Sequence, residues 1–189
     1  FLGHYFTPGE KNIKKSKTQN VFKLGNPKIK LKCLHVKKLN LDFSLSNLSS
    51  LCTFSLALPS FKNLQVLDLN LSANKIQDKY IPLLSSSLIK CEQLQSLTLD
   101  FQLNDFDDTV YSSLGKALSN CTSLSTLILD LRRLCNRNAY RIASAFDNKN
   151  NLQTLVLRLN QNKIGSEGAI FLFPQLAKCI NLENLTLQI

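Results

Sequence analysis

Leu64-Gln65-Val66-Leu67-Asp68-Leu69-Asn70-Leu71 sets a pattern, Leu-x-x-Leu-x-Leu-x-Leu, that the chain writes again and again. It returns at Leu94, Leu97, Leu99 and Phe101, at Leu124, Leu127, Leu129 and Leu131, and at Leu152, Leu155, Leu157 and Leu159. A final copy is Leu182, Leu185, Leu187 and Ile189, and a degenerate first copy is Val36, Leu39, Leu41 and Phe43. The second apolar position falls at 39, 67, 97, 127, 155 and 185, so the copies follow one another at 28, 30, 30, 28 and 30 residues. Six copies at so steady an interval define a repeat architecture. Within a copy, apolar residues alternate with polar ones, which is the period of a strand with one buried face. Leu67, Leu69 and Leu71 point one way, and Asp68 and Asn70 the other.

Working outward, the expected strands cover 37–43, 65–71, 95–101, 125–131, 153–159 and 183–189. Helical patterns lie between them, near 46–58, 79–90, 108–120, 138–147 and 166–179. Val110, Leu114, Ala117, Leu118 and Cys121 form one apolar helix face. The aligned sets are Tyr80, Leu84, Ser87, Leu88 and Cys91 before it, and Asn138, Ile142, Ala145, Phe146 and Lys149 after it. Asp78, Asp107 or Asp108, and Ser166 stand where helix N-caps are expected. Pro174 is expected to bend or break the last helix near Phe173. Strand–helix–strand units with parallel strands cross over right-handedly.

These residues resemble the leucine-rich repeat. Leu69–Ile76 and Leu157–Ile164 read Leu-x-Leu-x-x-Asn-x-Ile, and Leu99–Phe106 has Phe in the last place. The helix opening Ile164-Gly165-Ser166-Glu167-Gly168-Ala169, with Leu176-Ala177-Lys178-Cys179 at its end, is similar to the ribonuclease-inhibitor-like subfamily. The Asn- and Lys-rich style and the Lys-Cys-x-x-Leu joints are similar to leucine-rich-repeat proteins of ciliates. The resemblance covers about 33–189. It implies an α/β horseshoe segment, a right-handed solenoid with six parallel strands on the concave side and helices on the convex side. It also implies that Asn74, Asn104 and Asn162 bond backbone groups of adjacent turns. Ser46 and Leu134 depart from that Asn, and an altered turn is expected at Leu134-Cys135-Asn136.

The expected organisation is a basic segment over 1–32, as a tail or capping hairpin, and a repeat domain over 33–189 of about five and a half repeats. The chain opens without Met and stops inside a strand motif, so it is expected to be part of a longer protein. No secretory leader is visible, and no apolar run approaches the roughly 18 residues of a membrane-spanning helix. The net charge of +10 is uneven. Residues 1–38 hold ten Lys and a single acid, Glu10, whereas the remainder is almost balanced. The basic run with Lys11, Lys14, Lys15 and Lys17 reads as a solvated segment, or as a dock for acidic partners, RNA or a membrane surface. Aromatic residues that would stack on bases are sparse there, which disfavours RNA.

Four of six Cys (Cys33, Cys91, Cys121, Cys179) share one repeat position, as small apolar fillers do, and Cys52 and Cys135 have no evident partner. Free thiols in a reducing, cytoplasmic compartment are expected, and a cytoskeletal or ciliary assembly fits the style. Catalytic chemistry finds no foothold. Cys33-x-His35 lacks a second ligand pair for zinc, no Gly-rich phosphate loop exists, and Asp107-Asp108 suit a helix start. No cofactor, metal or small-molecule substrate is expected, and the chain is expected not to be an enzyme.

Function is therefore sought on the exposed strand positions, which stack into two rows. One reads Asp42, Asn70, Asp100, Asp130, Arg158, Gln188, and the other Asn40, Asp68, Thr98, Ile128, Val156, Thr186. Asp42, Asp68, Asp100 and Asp130 form an acidic region, and Ile128, Val156 and Arg158 a mixed apolar–basic patch. Like charges on neighbouring strands are destabilising, and a basic patch on another protein would relieve them. The leading expectation is a protein-binding scaffold. The other readings are a regulatory arm of a larger enzyme, of kinase or ubiquitin-ligase type, and docking through the Lys-rich start.

Overall fold

A computed structural model of the chain describes residues 35–44, 48–76, 78–104, 106–132, 139–147, 149–162 and 164–189. The basic segment 1–32, Cys33, Cys135 and the Leu134-Cys135-Asn136 turn lie outside the described residues. Six strands alternate with helical segments: β1 Lys38–Asp42, β2 Val66–Asn70, β3 Ser96–Asp100, β4 Thr126–Asp130, β5 Thr154–Arg158 and β6 Asn184–Gln188. They form a single sheet in the order β1-β2-β3-β4-β5-β6, and every neighbouring pair is parallel. This is an α/β, solenoid-like arrangement.

The register follows the sequence copies. Leu39, Leu67, Leu97, Leu127, Leu155 and Leu185 are consecutive partners across the sheet. Backbone bonds carry the ladder one residue past each strand end, as in Leu71 N–H to Asp100 O at 2.8 Å and Gln95 N–H to Gln65 O at 2.9 Å. The hydrogen-bonded spans thus match the lengths expected from the leucine pattern.

Leu67, Leu69, Leu97, Leu99, Leu127, Leu129, Leu155 and Leu157 are fully buried and share one core with the helices. The helices are α1 Leu48–Ala57, α2 Ile81–Leu88, α3 Asp108–Asn120 and α4 Gly165–Leu176, with a 3-10 helix over Ala139–Phe146 between α3 and α4. Each packs on its neighbour in chain order. The 138–147 pattern therefore forms a 3-10 helix rather than an α-helix. Its repeat is two residues shorter than the one before, but the equally short interval from Leu39 to Leu67 holds the α-helix α1, so length alone does not select the 3-10 form.

The caps are mixed. Asp107 caps α3, its carboxylate accepting from Thr109 N at 2.8 Å and Val110 N at 3.2 Å. Asp78 does not cap α2; it opens a 3-10 turn and accepts the Asp107 N–H of the next repeat at 3.1 Å. Ser166 lies inside α4, which begins at Gly165. Pro174 does not end α4, which runs on to Leu176. The acceptor its missing N–H would have used is the carbonyl of Ile170, and both residues are exposed, so water can take that bond.

The turns after the strands repeat too. Ala73, Leu103 and Gln161 have positive φ, each followed by the repeat Asn. Asn104 Nδ2 donates to Phe101 O and to Leu71 O of the preceding repeat, both at 2.9 Å. Its Oδ1 accepts from Asn74 N at 3.2 Å and Ile76 N at 3.0 Å. Asn74 and Asn162 also bridge their own turn to the one before. Each Asn thereby satisfies buried backbone groups of two repeats at once.

Beyond the helices, the joints carry the cysteines. Cys91, Cys121 and Cys179 are free and buried, and burial pushes the Cys91 thiol up to about 11. In the fourth repeat this joint holds Lys149, only 1% exposed, whose Nζ donates to Cys121 O at 2.5 Å.

Candidate functional site: the open strand face

Among the described residues the sheet has one face closed by helices and one open. Along β2, β3 and β5 the outward residues are half-buried between fully buried leucines. The register brings Asp42, Asn70, Asp100, Asp130, Arg158 and Gln188 into one row, and Asn40, Asp68, Thr98, Ile128, Val156 and Thr186 into the next. All seven open-face positions singled out from sequence therefore lie on one surface.

Their side chains are not equivalent. Asp42, Asn70, Asp100 and Asp130 each end a strand, and each accepts from the backbone N–H two residues on: Ser44 at 2.9 Å, Ser72 at 3.1 Å, Gln102 at 2.9 Å and Arg132 at 3.2 Å. This local turn is what short acids and amides do at strand ends. It gives these residues a folding role independent of any partner. Asp68 lies inside its strand and accepts from Asn40 Nδ2 at 3.2 Å.

Asp130 departs furthest from an exposed docking acid. It is 5% exposed, and Arg132 grips it through Nε at 2.9 and 3.0 Å and Nη2 at 2.7 Å. Arg158 Nη1 stands 3.8 Å away on the other side. The repulsion expected between Asp100 and Asp130 is thus offset within the chain. Arg132 was the residue missed by reading strands alone; its signal was a cation two places beyond a strand-ending acid.

Asp68 and Asp100 remain half-buried acids on this face. Burial raises the Asp68 carboxyl, with Asp42 adding to the effect. Burial likewise raises Asp100; the Gln102 N–H opposes it, Asp130 adds to it, and Arg132 and Arg158 counter it. The face is acidic over β1–β3, whereas over β4–β6 it carries Asp130 held by arginines, apolar Ile128 and Val156, and Gln188. Beside this second half, Gln102, Arg132, Asn160, Gln161, Gln188 and Ile189 line a cleft of about 510 Å³ at the strand ends.

Among the described residues no group of three or more His, Cys, Asp and Glu is placed to hold a metal ion, and no helix is long and apolar enough to cross a membrane.

No protein-family model matches the chain, and no curated protein matches it. Among solved structures, the chain is similar to one of the leiomodin-1 actin-binding site 2, with a TM-score of 0.58 at 15% identity. The match covers 82% of this chain and 86% of that one. At that identity the likeness is one of fold.

Proposed function

We propose that the chain is a non-catalytic protein-interaction scaffold: a right-handed leucine-rich-repeat solenoid of the ribonuclease-inhibitor-like kind, docking another protein on its concave, open strand face. One observation carries this reading. Among the described residues a six-strand surface is left uncovered, and it bears half-buried acids, Asp68 and Asp100, whose carboxyls are raised chiefly by burial. A basic patch on a partner would supply their counter-charge. Asp42 completes the acidic half, Ile128 and Val156 offer a central apolar contact, and Arg158 a basic one. Asp130 acts by holding Arg132 in place.

The buried free thiols favour a reducing compartment. The solved neighbour is named for an actin-binding site, which makes actin the first protein to try and a cytoskeletal assembly the first setting to examine. The Lys-rich start, with Lys11, Lys14, Lys15 and Lys17, is a separate contact for acidic partners.

The test is the Asp68→Asn, Asp100→Asn double variant. Charges that remain in contact with solvent on a docking face mainly accelerate encounter, each contributing about 1 kcal/mol or less. The variant should associate with the native partner more slowly at low salt, with a flatter salt dependence and an unchanged far-UV spectrum. An unchanged on-rate at low salt would move the docking surface elsewhere.

A further inference from the structure

The chemistry of the open face changes across the strands rather than along them. Asp68, Thr98, Ile128 and Val156 are direct register partners on β2 to β5, and Asp100 and Arg158 stand in the row beside them. All six are half-buried. The line begins with two carboxylates, passes over two adjoining β-branched apolar residues and ends on a guanidinium.

Its two ends carry opposite and incompletely matched charge. Among the described residues Asp68 accepts only from Asn40 Nδ2 at 3.2 Å, and Asp100 only from the Gln102 N–H at 2.9 Å, both neutral donors. Neither meets a Lys or Arg there at pairing distance, since the ion pairs formed use Asp130 and Asp147. At the other end Arg132 already holds Asp130 at 2.7 Å, while Arg158 stands 3.8 Å from it with a third of its side chain exposed. One carboxylate between two guanidinium groups leaves a positive charge in excess.

Spacing decides what kind of segment can follow this line. Such a segment must cross the strands, because the chemistry changes from strand to strand. From β2 to β5 there are three steps of about 4.8 Å, roughly 14 Å in all. An α-helix presents the same face once per turn of about 5.4 Å, so three turns cover about 16 Å and stay in step to within about 2 Å. An extended chain presents the same face about every 6.6 Å and drifts by about 5 Å over those three steps, which is a whole strand.

We propose that the open face takes an amphipathic α-helix of a partner protein, laid across β2–β5. Its Lys or Arg side chains lie over Asp68 and Asp100, its apolar ones over Ile128 and Val156, and an acid against Arg158. On the helix these groups fall on one face in successive turns, near i, i+3 or i+4, i+7 and i+11. This rests on the reading of the open face as a docking surface, and adds the form and polarity of what docks.

The experiment uses the ¹⁵N-labelled chain and reads the backbone amide signals of Asp68, Thr98, Asp100, Ile128, Val156 and Arg158. The probe is a capped Ala–Gln helix of about 18 residues, roughly five turns. It carries Lys in the first two turns, Leu in the next two and Glu in the last, all on one face. It should shift these signals saturably at low salt and gain helical far-UV signal on binding. Exchanging both Lys for Gln should weaken it about fivefold, and a Pro in the middle turn at least about tenfold. A nitroxide at the Lys end should broaden Asp68 and Asp100, and one at the Glu end Val156 and Arg158. Equal binding of the Pro-containing peptide on this face, or broadening with the two ends reversed, would overturn the helix and leave the docking face standing. No shift at millimolar probe, or shifts confined to the outer helices, would also overturn the proposal. Whether the face docks the native partner is read separately, from the on-rate of the Asp68→Asn, Asp100→Asn variant.

Discussion

Lys149→Met should make the protein more stable, although it deletes a hydrogen bond. Lys149 stands at the joint where other repeats have Cys91, Cys121 and Cys179, and it is 1% exposed. Burial lowers its pKa, while Cys121 and Cys179 pull the other way. Its Nζ donates to Cys121 O, but that carbonyl also accepts from Leu124 N at 3.3 Å and keeps this partner when the lysine is gone. Methionine has nearly the same reach and no charge to desolvate. Exchanges of buried ionic groups for apolar ones of similar volume are commonly neutral to stabilising, here about 1–3 kcal/mol, or roughly 2–4 °C in Tm per kcal/mol for a domain of this size. The pH dependence supplies an independent check. A lysine whose folded pKa is depressed binds its proton more tightly in the unfolded chain. The wild type therefore gains stability as pH rises from the folded pKa toward the ordinary value of 10.5. Below that window the full penalty is present, and above it the penalty is gone. Urea unfolding at pH 7, 8.5 and 10 should show the advantage of the Met variant shrinking with pH. A variant less stable than wild type at pH 7, or an advantage constant across the series, would refute the reasoning.

Leu127, fully buried in β4, should cost about 2–5 kcal/mol as Leu127→Ala, read from the denaturation midpoint. Gly115→Ala drives a methyl group into Ser144 Oγ, where α3 meets the 3-10 helix, and should destabilise by roughly 1–3 kcal/mol. Adding Ser144→Ala should recover most of that loss, and its failure would place the strain elsewhere. A bulky thiol reagent should label half-exposed Cys52 well before buried Cys91, Cys121 and Cys179, which should react on unfolding; rapid native labelling of the three would contradict their joint packing. Asp100→Asn should stabilise the chain at neutral pH. A carboxyl with a raised folded pKa costs stability above that pKa, and the cost is lifted as pH falls through it, so the difference from wild type should close toward acid pH.

The strands, their order and their register were legible because one leucine pattern at a fixed interval leaves a single way to stack. The same interval foretold which side chains share each open row. What escaped was held by contacts that run between repeats or back along the chain. Arg132 lies past its strand and folds back onto Asp130, so a reading of strand positions alone met an unpaired acid. Asp78 resembles a helix cap in sequence, but its acceptor is used by the Asp107 N–H of the next repeat. Lys149 reads as a polar lapse in a helix face until the joint closes over it. The 3-10 form of Ala139–Phe146 also escaped, since the equally short first interval holds an α-helix and the spacing does not tell them apart.

The central claim is that the open strand face is the docking surface. Its most direct measurement is site-specific photo-crosslinking of the native protein in its cell. A photoreactive side chain is placed at Thr98, Ile128 or Val156 on the open face, and at exposed Ser112 or Lys116 on the outer side of α3. One and the same partner protein should be captured from the three strand positions and not from the helix positions, and its yield should fall when Asp68→Asn and Asp100→Asn are added. Capture of that partner from Ser112 or Lys116, with none from the strands, would contradict the account.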